Sequence, residues 1–304
     1  MKINCPNPNC ILTSPFGPKI KPIIRNGSTF RKCDSRRIQR FYCRLCGSYF
    51  SKATFDPRFG QKVRRENPML FKLFSSGVSQ RRAAVILNLN RKTVVRRFRF
   101  FAEQARLELQ GTLTEFKVSP LSEVQFDDLE TSEHTKCKPL SVALAVDPKT
   151  RKILDFQVSR MPAKGPLAKL ALKKYGKRRD ERPVGWLKLL HAIKPYVSEQ
   201  ATFTSDENPH YPRHLRHHFP HSSHIQIKGG RGAVVGQGEL KKLKFDPIFS
   251  LNHTCAMLRA NMNRLFRRTW CTTKTVQGLI DHLSIYALYH NRHILGTSDG
   301  LGAS

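Results

Sequence analysis

The alternation of apolar and polar positions divides the chain into a strand-rich C-terminal part and a helical segment before it. Leu140–Val146 is an almost uninterrupted apolar run, which is typical of a buried central strand. Strand patterns also cover 124–127, 152–158, 202–206 and 223–228, while 184–197 and 247–293 have helical periodicity. We therefore predict a mixed α/β domain over residues 118–295, with three consecutive strands, a helix, further strands and closing helices.

The segment before this domain has the pattern of three short helices. Asn67 followed by Pro68 predicts a helix start, because asparagine caps helix N-termini and proline fits the first turn. Ser79 predicts the cap of a second helix, and Asn90 that of a third helix rich in arginine. A short helix, a tight turn and a basic helix predict a helix-turn-helix domain over residues 62–112.

The basic third helix is the predicted recognition helix. In a helix-turn-helix, this helix enters the major groove and contacts base edges and phosphates. The same pattern also fits a three-helix bundle whose basic face is merely solvated. For the DNA-reading alternative, the expected contacts come from Arg91, Lys92, Thr93, Arg96 and Arg97.

Four of the eight cysteines form two pairs near the N-terminus. Cys5 and Cys10 are separated by four residues, and Cys43 and Cys46 by two. Two short cysteine turns can supply the four thiolates of a tetrahedral zinc site. The sequence therefore predicts a zinc ribbon over residues 1–57, with Zn²⁺ as a structural ion.

The residues between the two cysteine pairs predict a β-hairpin. Residues 21–25 and 40–43 have strand patterns, and Asn26–Gly27 predicts the turn between them. Cys33 is interpreted as a buried or free thiol, or as a replacement for Cys10. We expect so basic a ribbon to contact DNA.

Charge defines the class of partner. The 304-residue chain has 54 Lys and Arg against 22 Asp and Glu, which gives a net charge of +32. Such an excess of cations favours a polyanion as partner, and we expect double-stranded DNA. A ribosome or an anionic membrane surface would also satisfy the charge.

The apolar content and its distribution argue against disordered, membrane and secreted proteins. Hydrophobic residues make up 39% of the chain, which excludes wholesale disorder. No apolar run approaches the roughly 18 residues of a membrane helix, and no apolar segment follows the N-terminus as in a signal peptide. We therefore expect no membrane partner and a cytoplasmic location.

Two predicted strands end on carboxylates. Asp127 and Asp128 end the first strand of the C-terminal domain, and Asp206 ends a later one. The element order is typical of an RNase H-like domain, in which these two strands lie side by side, so the acids can share divalent cations. Oxygen ligands suit Mg²⁺ or Mn²⁺, and paired ions of this kind flank a scissile phosphate.

Motifs spread over nearly the whole chain carry a family resemblance. They are Phe126-Asp127-Asp128, Thr204-Ser205-Asp206, Leu258-Arg259 and the run from Arg264 to Thr269. With the zinc ribbon and helix-turn-helix in front, the chain resembles DDE transposases of bacterial insertion sequences, in the group founded by insertion sequence one. The resemblance implies an enzyme that binds the terminal repeats of its element, cleaves DNA with divalent cations and joins the freed 3′-hydroxyls to target DNA. It also implies a homo-oligomer on DNA and association with the nucleoid.

One position departs from the family pattern. The family's third acid, a Glu seven residues before the Arg of the Leu-Arg pair, falls on Asn252, which offers a carbonyl oxygen but no charge. The predicted catalytic set is Asp127, Asp206 and Asn252, with Asp128, Glu239 and Asp246 as alternative acids and His253 as an alternative ligand. Asp246 also has the pattern of a helix N-cap, because Pro247 follows it.

Two other functions fit the sequence. Replacement of the third acid favours a catalytically inactive DNA-binding protein, either a decayed transposase or a repressor of its own element. A structure-selective nuclease would keep the metal site without strand transfer.

Three further groups of residues have less specific patterns. Trp270 is interpreted as a core residue, with stacking on an unpaired end base as the alternative. Cys137, Cys255 and Cys271 have no metal-ligand spacing and are predicted to be buried thiols. A histidine-rich segment predicts a basic, DNA-facing loop, with a second metal site as the alternative; it comprises His210, His214, His217, His218, His221 and His224.

Overall fold

A computed structural model describes residues 3–10, 22–32, 35–228, 246–266 and 270–294. The chain divides into two compact units, Met1–Met69 and Leu70–Ser304. The first unit contains an antiparallel sheet of β1 (Ile23–Arg31), β2 (Arg36–Cys43) and β3 (Tyr49–Ser51). The boundary between the units falls within the first α-helix, α1 (Asn67–Phe74).

The hairpin of the first unit is longer than predicted. The register of β1 against β2 shifts between Arg25 and Ser28, so Asn26–Gly27 forms a β-bulge and the predicted turn there is wrong. The Asn26–Gly27 dipeptide predicted the turn, and Gly27 does have a left-handed φ of 61°, but the strand continues past it. The side chain of Gln39 on β2 donates to the carbonyl of Gly27 at 2.7 Å, which ties the bulge to the neighbouring strand.

Three helices follow, as predicted: α1, α2 (Gln80–Ile86) and α3 (Arg91–Leu109). The Ser79 side chain caps α2 by accepting from the backbone N–H of Arg82, and Asn90 caps α3 by accepting from Lys92. Asn67 was expected as a cap, but it is itself helical and its amide donates to Gln61 instead.

The second unit contains a five-stranded mixed sheet. Its strands are β4 (Leu121–Ser132), β5 (Pro139–Val146), β6 (Ile153–Arg160), β7 (Val197–Asp206) and β8 (Ser223–Ile227). Their spatial order is β6-β5-β4-β7-β8. The first three strands pair antiparallel as a meander, whereas β7 lies parallel to β4 and β8 parallel to β7. The mixed α/β class and all five predicted strands are therefore confirmed.

The remaining helices pack around this sheet. They are α4 (Thr114–Val118), α5 (Leu167–Tyr175), α6 (Arg182–Ile193), α7 (Tyr211–His218), α8 (Phe249–Asn261) and α9 (Val276–Tyr289). The helix predicted over 184–197 ends earlier, because Val197 already begins β7. Within the described residues, no helix is both long enough and apolar enough to cross a lipid bilayer.

The sheet separates two hydrophobic cores. One contains Phe126 and Phe203 with Trp186 of α6, and the other contains Leu129 with residues of α8 and α9. Successive side chains of a strand point to opposite faces, so β4 contributes alternately to both cores. Asp127 and Asp128 are consecutive on β4 and therefore lie on opposite faces of the sheet.

Helices α1 to α3 form a third core that includes Ile285 of α9. His282 of α9 lies inside it and donates from Nε2 to the carbonyl of Phe74 at 2.8 Å. Burial lowers the pKa of His282 to about 4, because the charged imidazolium loses its hydration there. The helical segment is thus anchored to α9 through a neutral histidine.

This histidine predicts acid sensitivity. Unfolding lets His282 take up a proton at its ordinary pKa near 6.5, so its contribution to stability is present above that pH and is lost as the pH falls toward 4. We expect the free energy of unfolding to fall by about 2 kcal/mol more in the native chain than in His282→Gln between pH 7.5 and pH 5. Urea denaturation at both pH values measures the difference; parallel pH dependence of the two proteins would contradict the assignment.

Candidate functional site

The first unit brings Cys5, Cys10, Cys43 and Cys46 together. Their sulfur atoms all lie within 4.8 Å of one another, with 3.4 Å between Cys5 and Cys46 and 3.7 Å between Cys10 and Cys43. Gly47 allows the tight turn that carries Cys43 and Cys46. Its φ of 71° lets its N–H donate to the Cys43 carbonyl at 2.9 Å.

The cluster has the geometry of a metal site. A disulfide requires about 2.05 Å between sulfurs, whereas four thiolates about 2.3 Å from a tetrahedral zinc ion lie about 3.8 Å apart. The observed separations match the second case, so the four cysteines could hold a metal ion such as zinc. Burial raises the pKa of Cys5 to about 12, while hydrogen bonds with Ser48 lower the pKa of Cys46 to about 6. Cys33, the alternative ligand, lies outside the described residues.

The second unit brings two predicted acids to neighbouring strands. Asp206 ends β7 as predicted, whereas Asp127 and Asp128 lie in the middle of β4, which continues to Ser132, so their predicted place at a strand end is wrong. Gln125 of β4 pairs with Thr204 of β7 in the parallel register, and Asp127 and Asp206 each stand two residues further along. Two residues restore the same face of a strand, so both carboxylates lie on one side of the sheet. The register therefore juxtaposes Asp127 and Asp206 as the sequence predicted.

The two carboxylates interact electrostatically. Burial, followed by the negative charges of Asp206 and Asp128, raises the pKa of Asp127 to about 7. The Tyr211 hydroxyl donates to Asp127 at 3.3 Å and stabilises the charged form against these effects. Two half-buried carboxylates that repel each other favour the binding of a cation, because the cation neutralises their charge.

Asp128 has a different environment. It lies on the opposite face, where it accepts 3.0 and 3.1 Å hydrogen bonds from the Trp186 indole and one of 2.6 Å from the Ser141 hydroxyl. Burial raises the pKa of Asp128, but these donors satisfy its oxygens. The structure therefore gives Asp128 a part in packing α6 against the sheet, and Tyr211 interacts with both Asp128 and Asp127.

Helix α8 starts beside the acid pair. The Gln125 side chain accepts from the Leu251 N–H at 3.0 Å and donates to the Pro247 carbonyl at 2.9 Å. These bonds attach the start of α8 to β4 at Gln125, which is two residues before Asp127 on that strand. The exposed amide of Asn252 donates to the Asp246 carboxylate at 2.9 Å. Asp246 also accepts from the Ile248 N–H at 3.1 Å, but the N-cap of α8 is Ile248, so the predicted cap at Asp246 is wrong by two residues. Glu239 lies outside the described residues.

One neighbour of the acid pair escaped the sequence prediction. Cys255, predicted only as a buried thiol, lies close enough to Asp127 that the carboxylate adds to the effect of burial, and the pKa of Cys255 rises to about 12. Cys255 stands one turn after Asn252 on α8, and residues three apart share a face of a helix. A helical periodicity centred on Asn252 could have indicated it.

Cations line the cavity beside Asp206. This cavity has a volume of about 450 Å³, and its lining includes Lys164, Arg182, Asp206 and Asn208. Arg182 forms a bidentate ion pair with Asp180, which raises the pKa of the guanidinium, and Lys164 pairs with Glu130 at 3.1 Å. A carboxylate beside lysine and arginine can receive both a metal ion and the phosphate that it binds. Nothing in the sequence pattern linked Lys164 or Arg182 to this site.

The predicted recognition helix presents most of its basic residues to solvent. Arg91, Lys92 and Arg96 are exposed and Thr93 is half-buried. Arg97 is buried, with only 6% of its surface exposed, so its prediction as a DNA contact is wrong. The helical period explains this, because position 97 is three residues after the buried Val94 and lies on the inner face.

Two predictions about the remaining residues are wrong. Trp270 is 99% exposed and is no core residue, and Cys271 is exposed, whereas Cys137 is buried and Cys255 half-buried. The histidine-rich segment is partly helix, since residues Tyr211–His218 form α7. Among the described residues, the four N-terminal cysteines are the only group of three or more such ligands within metal-binding distance, so the histidines form no second metal site there.

No protein-family model matches the sequence, and no curated protein gives a significant match. The function is therefore inferred from the residues of the chain and their geometry.

The cysteine cluster predicts a zinc content of one ion per chain. Cys43→Ser removes a fully buried ligand and is expected to abolish stoichiometric zinc, whereas Cys271→Ser changes an exposed cysteine outside the cluster and is expected to retain it. Atomic absorption on the purified proteins measures both. A native chain without zinc, whose cluster thiols react as fast as Cys271, would exclude the site.

The hydrogen bonds of Asp128 predict a structural effect. Asp128→Ala leaves the buried Trp186 N–H and the Ser141 hydroxyl without their acceptor, so we expect a loss of about 2 kcal/mol in unfolding free energy. Glu199→Ala removes an exposed carboxylate and serves as the control, with a change under about 0.5 kcal/mol. Urea denaturation measures both; equal stability of the two variants would contradict this role.

Proposed function

We propose that the chain is a DDE-type transposase that binds the ends of its element and performs metal-dependent DNA cleavage and strand transfer. The observation that carries the proposal is the juxtaposition of Asp127 and Asp206 on two parallel neighbouring strands, two residues beyond their last paired residues Gln125 and Thr204. Their mutual repulsion, together with the cations of the adjoining cavity, gives a place suited to a divalent cation with a bound phosphodiester.

The sheet supports an RNase H-like catalytic domain. In this architecture a three-stranded meander is extended by two parallel strands on the side of the first strand, which is the observed order β6-β5-β4-β7-β8. The catalytic acids are then expected on the first and fourth strands in chain order, where Asp127 and Asp206 stand. Fold analogy alone does not give a function, so the acid pair is the stronger support.

The residues of the site divide the chemistry among them. Asp127 and Asp206 would hold Mg²⁺ or Mn²⁺, which supplies Lewis-acid activation and charge neutralisation at the scissile phosphate. Lys164 and Arg182 line the side on which the phosphate oxygens would bind. Tyr211 orients the Asp127 carboxylate by donating to Oδ1. Asn252 would be the third ligand by the family pattern, and its amide donates to Asp246.

The rest of the chain supports double-stranded DNA as partner. The exposed basic residues of α3 suit the major groove, and the cysteine cluster supports a zinc ribbon as a second DNA contact. With a net charge of +32, binding should weaken steeply with salt. Element ends and target DNA must meet during strand transfer, so a homo-oligomer assembled on nucleoid DNA is part of the proposal.

The second candidate is a catalytically inactive DNA-binding protein, and Asn252 is the observation that favours it. The Asn252 side chain brings no charge to the acid pair and donates its amide hydrogens to Asp246. A repressor or a decayed transposase needs the DNA-binding elements but no third carboxylate. A structure-selective nuclease would need the acid pair without joining activity.

The decisive comparison uses matched carboxylate variants. Strand transfer of a labelled duplex from either end of the element into a supercoiled plasmid is measured with Mg²⁺ and with Mn²⁺. We expect metal-dependent joining by the native chain, and a loss of at least about 100-fold in Asp127→Asn and Asp206→Asn, since each removes a ligand of the metal. Glu199→Gln neutralises an exposed acid of the same strand as Asp206 and should retain activity.

The outcomes separate the three functions. Salt-sensitive DNA binding without cleavage under either metal would favour the inactive DNA-binding protein, and nicking without joining would favour the nuclease. Asn252→Glu adds the missing charge, so in the transposase we expect it to raise the Mg²⁺-dependent rate about tenfold or more. Activity that survives in both aspartate variants would overturn the proposed site.

A further inference from the structure

A second groove lies in the unit that carries the acid pair. Its volume is about 780 Å³, and it runs between the end of β4 with its connection to β5 and the segment that follows α8. Its lining includes Glu130, Lys136, Arg259, Phe266, Trp270 and Lys274.

Trp270 is the unusual feature of this groove. An indole ring is seldom left uncovered, since its burial is among the largest apolar gains available to a side chain, yet Trp270 is 99% exposed. Phe266 adds a partly exposed ring to the same groove. The groove therefore presents flat aromatic surface that the described part of the chain leaves uncovered.

The backbone near Trp270 is held in place. Thr273 is 1% exposed and its carbonyl accepts from the His134 N–H at 2.8 Å, which attaches the segment to the connection between β4 and β5. The side chain of Thr275 then caps α9 by accepting from Gly278 at 3.1 Å. The indole is thus presented three residues from a fixed point.

Positive charge surrounds the aromatic surface. Lys136 and Lys274 are exposed and Arg259 is half-buried. Among the described residues, none of these three cations forms an ion pair, and the one carboxylate of the lining, Glu130, pairs with Lys164 at 3.1 Å. Aromatic rings together with uncommitted cations match a ligand made of flat bases and phosphates.

Two residues of the groove interact with neighbours of the acid pair. Arg259 and Asp127 both act electrostatically on the thiol of Cys255 of α8. The partner of Glu130 in its ion pair, Lys164, lines the cavity of Asp206. Along β4, Glu130 follows Asp127 by three residues, which is about 10 Å.

We propose that this groove binds a single strand of DNA, with an unpaired base stacked on Trp270 and phosphates held by Lys136, Arg259 and Lys274. The proposal rests on the proposed function, because the acid pair identifies the strand as the DNA being cut. A base pair inside a duplex hides both faces of its bases, so the uncovered indole selects an unpaired end.

Tryptophan fluorescence reads this contact directly. The chain has two tryptophans, and Trp186 is only 3% exposed, so quenching by an added base reports on Trp270. We expect an oligo-dT strand of about fifteen nucleotides to quench the tryptophan fluorescence of the native chain without added Mg²⁺ or Mn²⁺. Trp270→Phe should lose the quenching while retaining most of the affinity, and Trp270→Ala should bind the strand about tenfold more weakly in anisotropy titrations.

Charge variants test the phosphate contacts. Lys136→Ala with Lys274→Ala should reduce the slope of affinity against salt for the oligo-dT strand. The control, Lys173→Ala with Lys174→Ala, removes the same charge from the exposed end of α5 and should retain the native slope. Equal effects of the two pairs would mean general electrostatic attraction and would overturn the groove.

Two results separate this inference from the proposed function. Asp127→Asn with Asp206→Asn should still quench and should bind the strand at least as tightly as the native chain does, because stacking needs no metal and the substitutions remove two charges that repel phosphate. Absent quenching, unchanged strand affinity in Trp270→Ala, or an equal loss of duplex affinity in that variant would each overturn the groove and leave the acid pair to its own test.

Discussion

The parallel pairing of β4 with β7 is the constraint on which the other features depend. It places Asp127 beside Asp206, although 78 residues separate them in the chain, and it buries them enough to raise the pKa of Asp127 to about 7. The position of α8 also depends on this sheet, because the Gln125 side chain on β4 is hydrogen-bonded to the start of α8. Two carboxylates that repel each other stay close together only where the surrounding structure holds them. The hydrophobic cores on the two faces of the sheet hold the strands that carry them.

Much of this arrangement could be predicted from local patterns. The apolar run of β5 predicted a central strand that is buried along nearly its whole length, and the cap residues Ser79 and Asn90 predicted where α2 and α3 begin. The cysteine spacing predicted the four residues that come together in the first unit. In each case the signal lies within a few residues, so secondary-structure periodicity or ligand spacing is enough to reveal it.

Features that depend on tertiary contacts could not be predicted in this way. The sequence does not distinguish Arg97 from its basic neighbours, but packing places Arg97 on the inner face of α3. It also does not distinguish Asp128 from Asp127, but the alternation of side chains along β4 directs Asp128 to Trp186. Trp270 was expected in the core because tryptophan usually is, and only the folded chain places it in an open groove. Lys164 and Arg182 reach the Asp206 cavity from a segment without any motif. Single-sequence patterns contain no information on such long-range neighbours.

Binding of a divalent cation by the acid pair is the central claim, and electron paramagnetic resonance of Mn²⁺ tests it most directly. The signal of hydrated Mn²⁺ decreases when the ion binds a protein, so titration of the zinc-loaded chain measures occupancy without any DNA. We predict saturable loss of signal with the native chain and with Glu199→Gln, and its absence with Asp127→Asn combined with Asp206→Asn. Equal Mn²⁺ binding by the native chain and the double variant, or none by the native chain, would contradict the account.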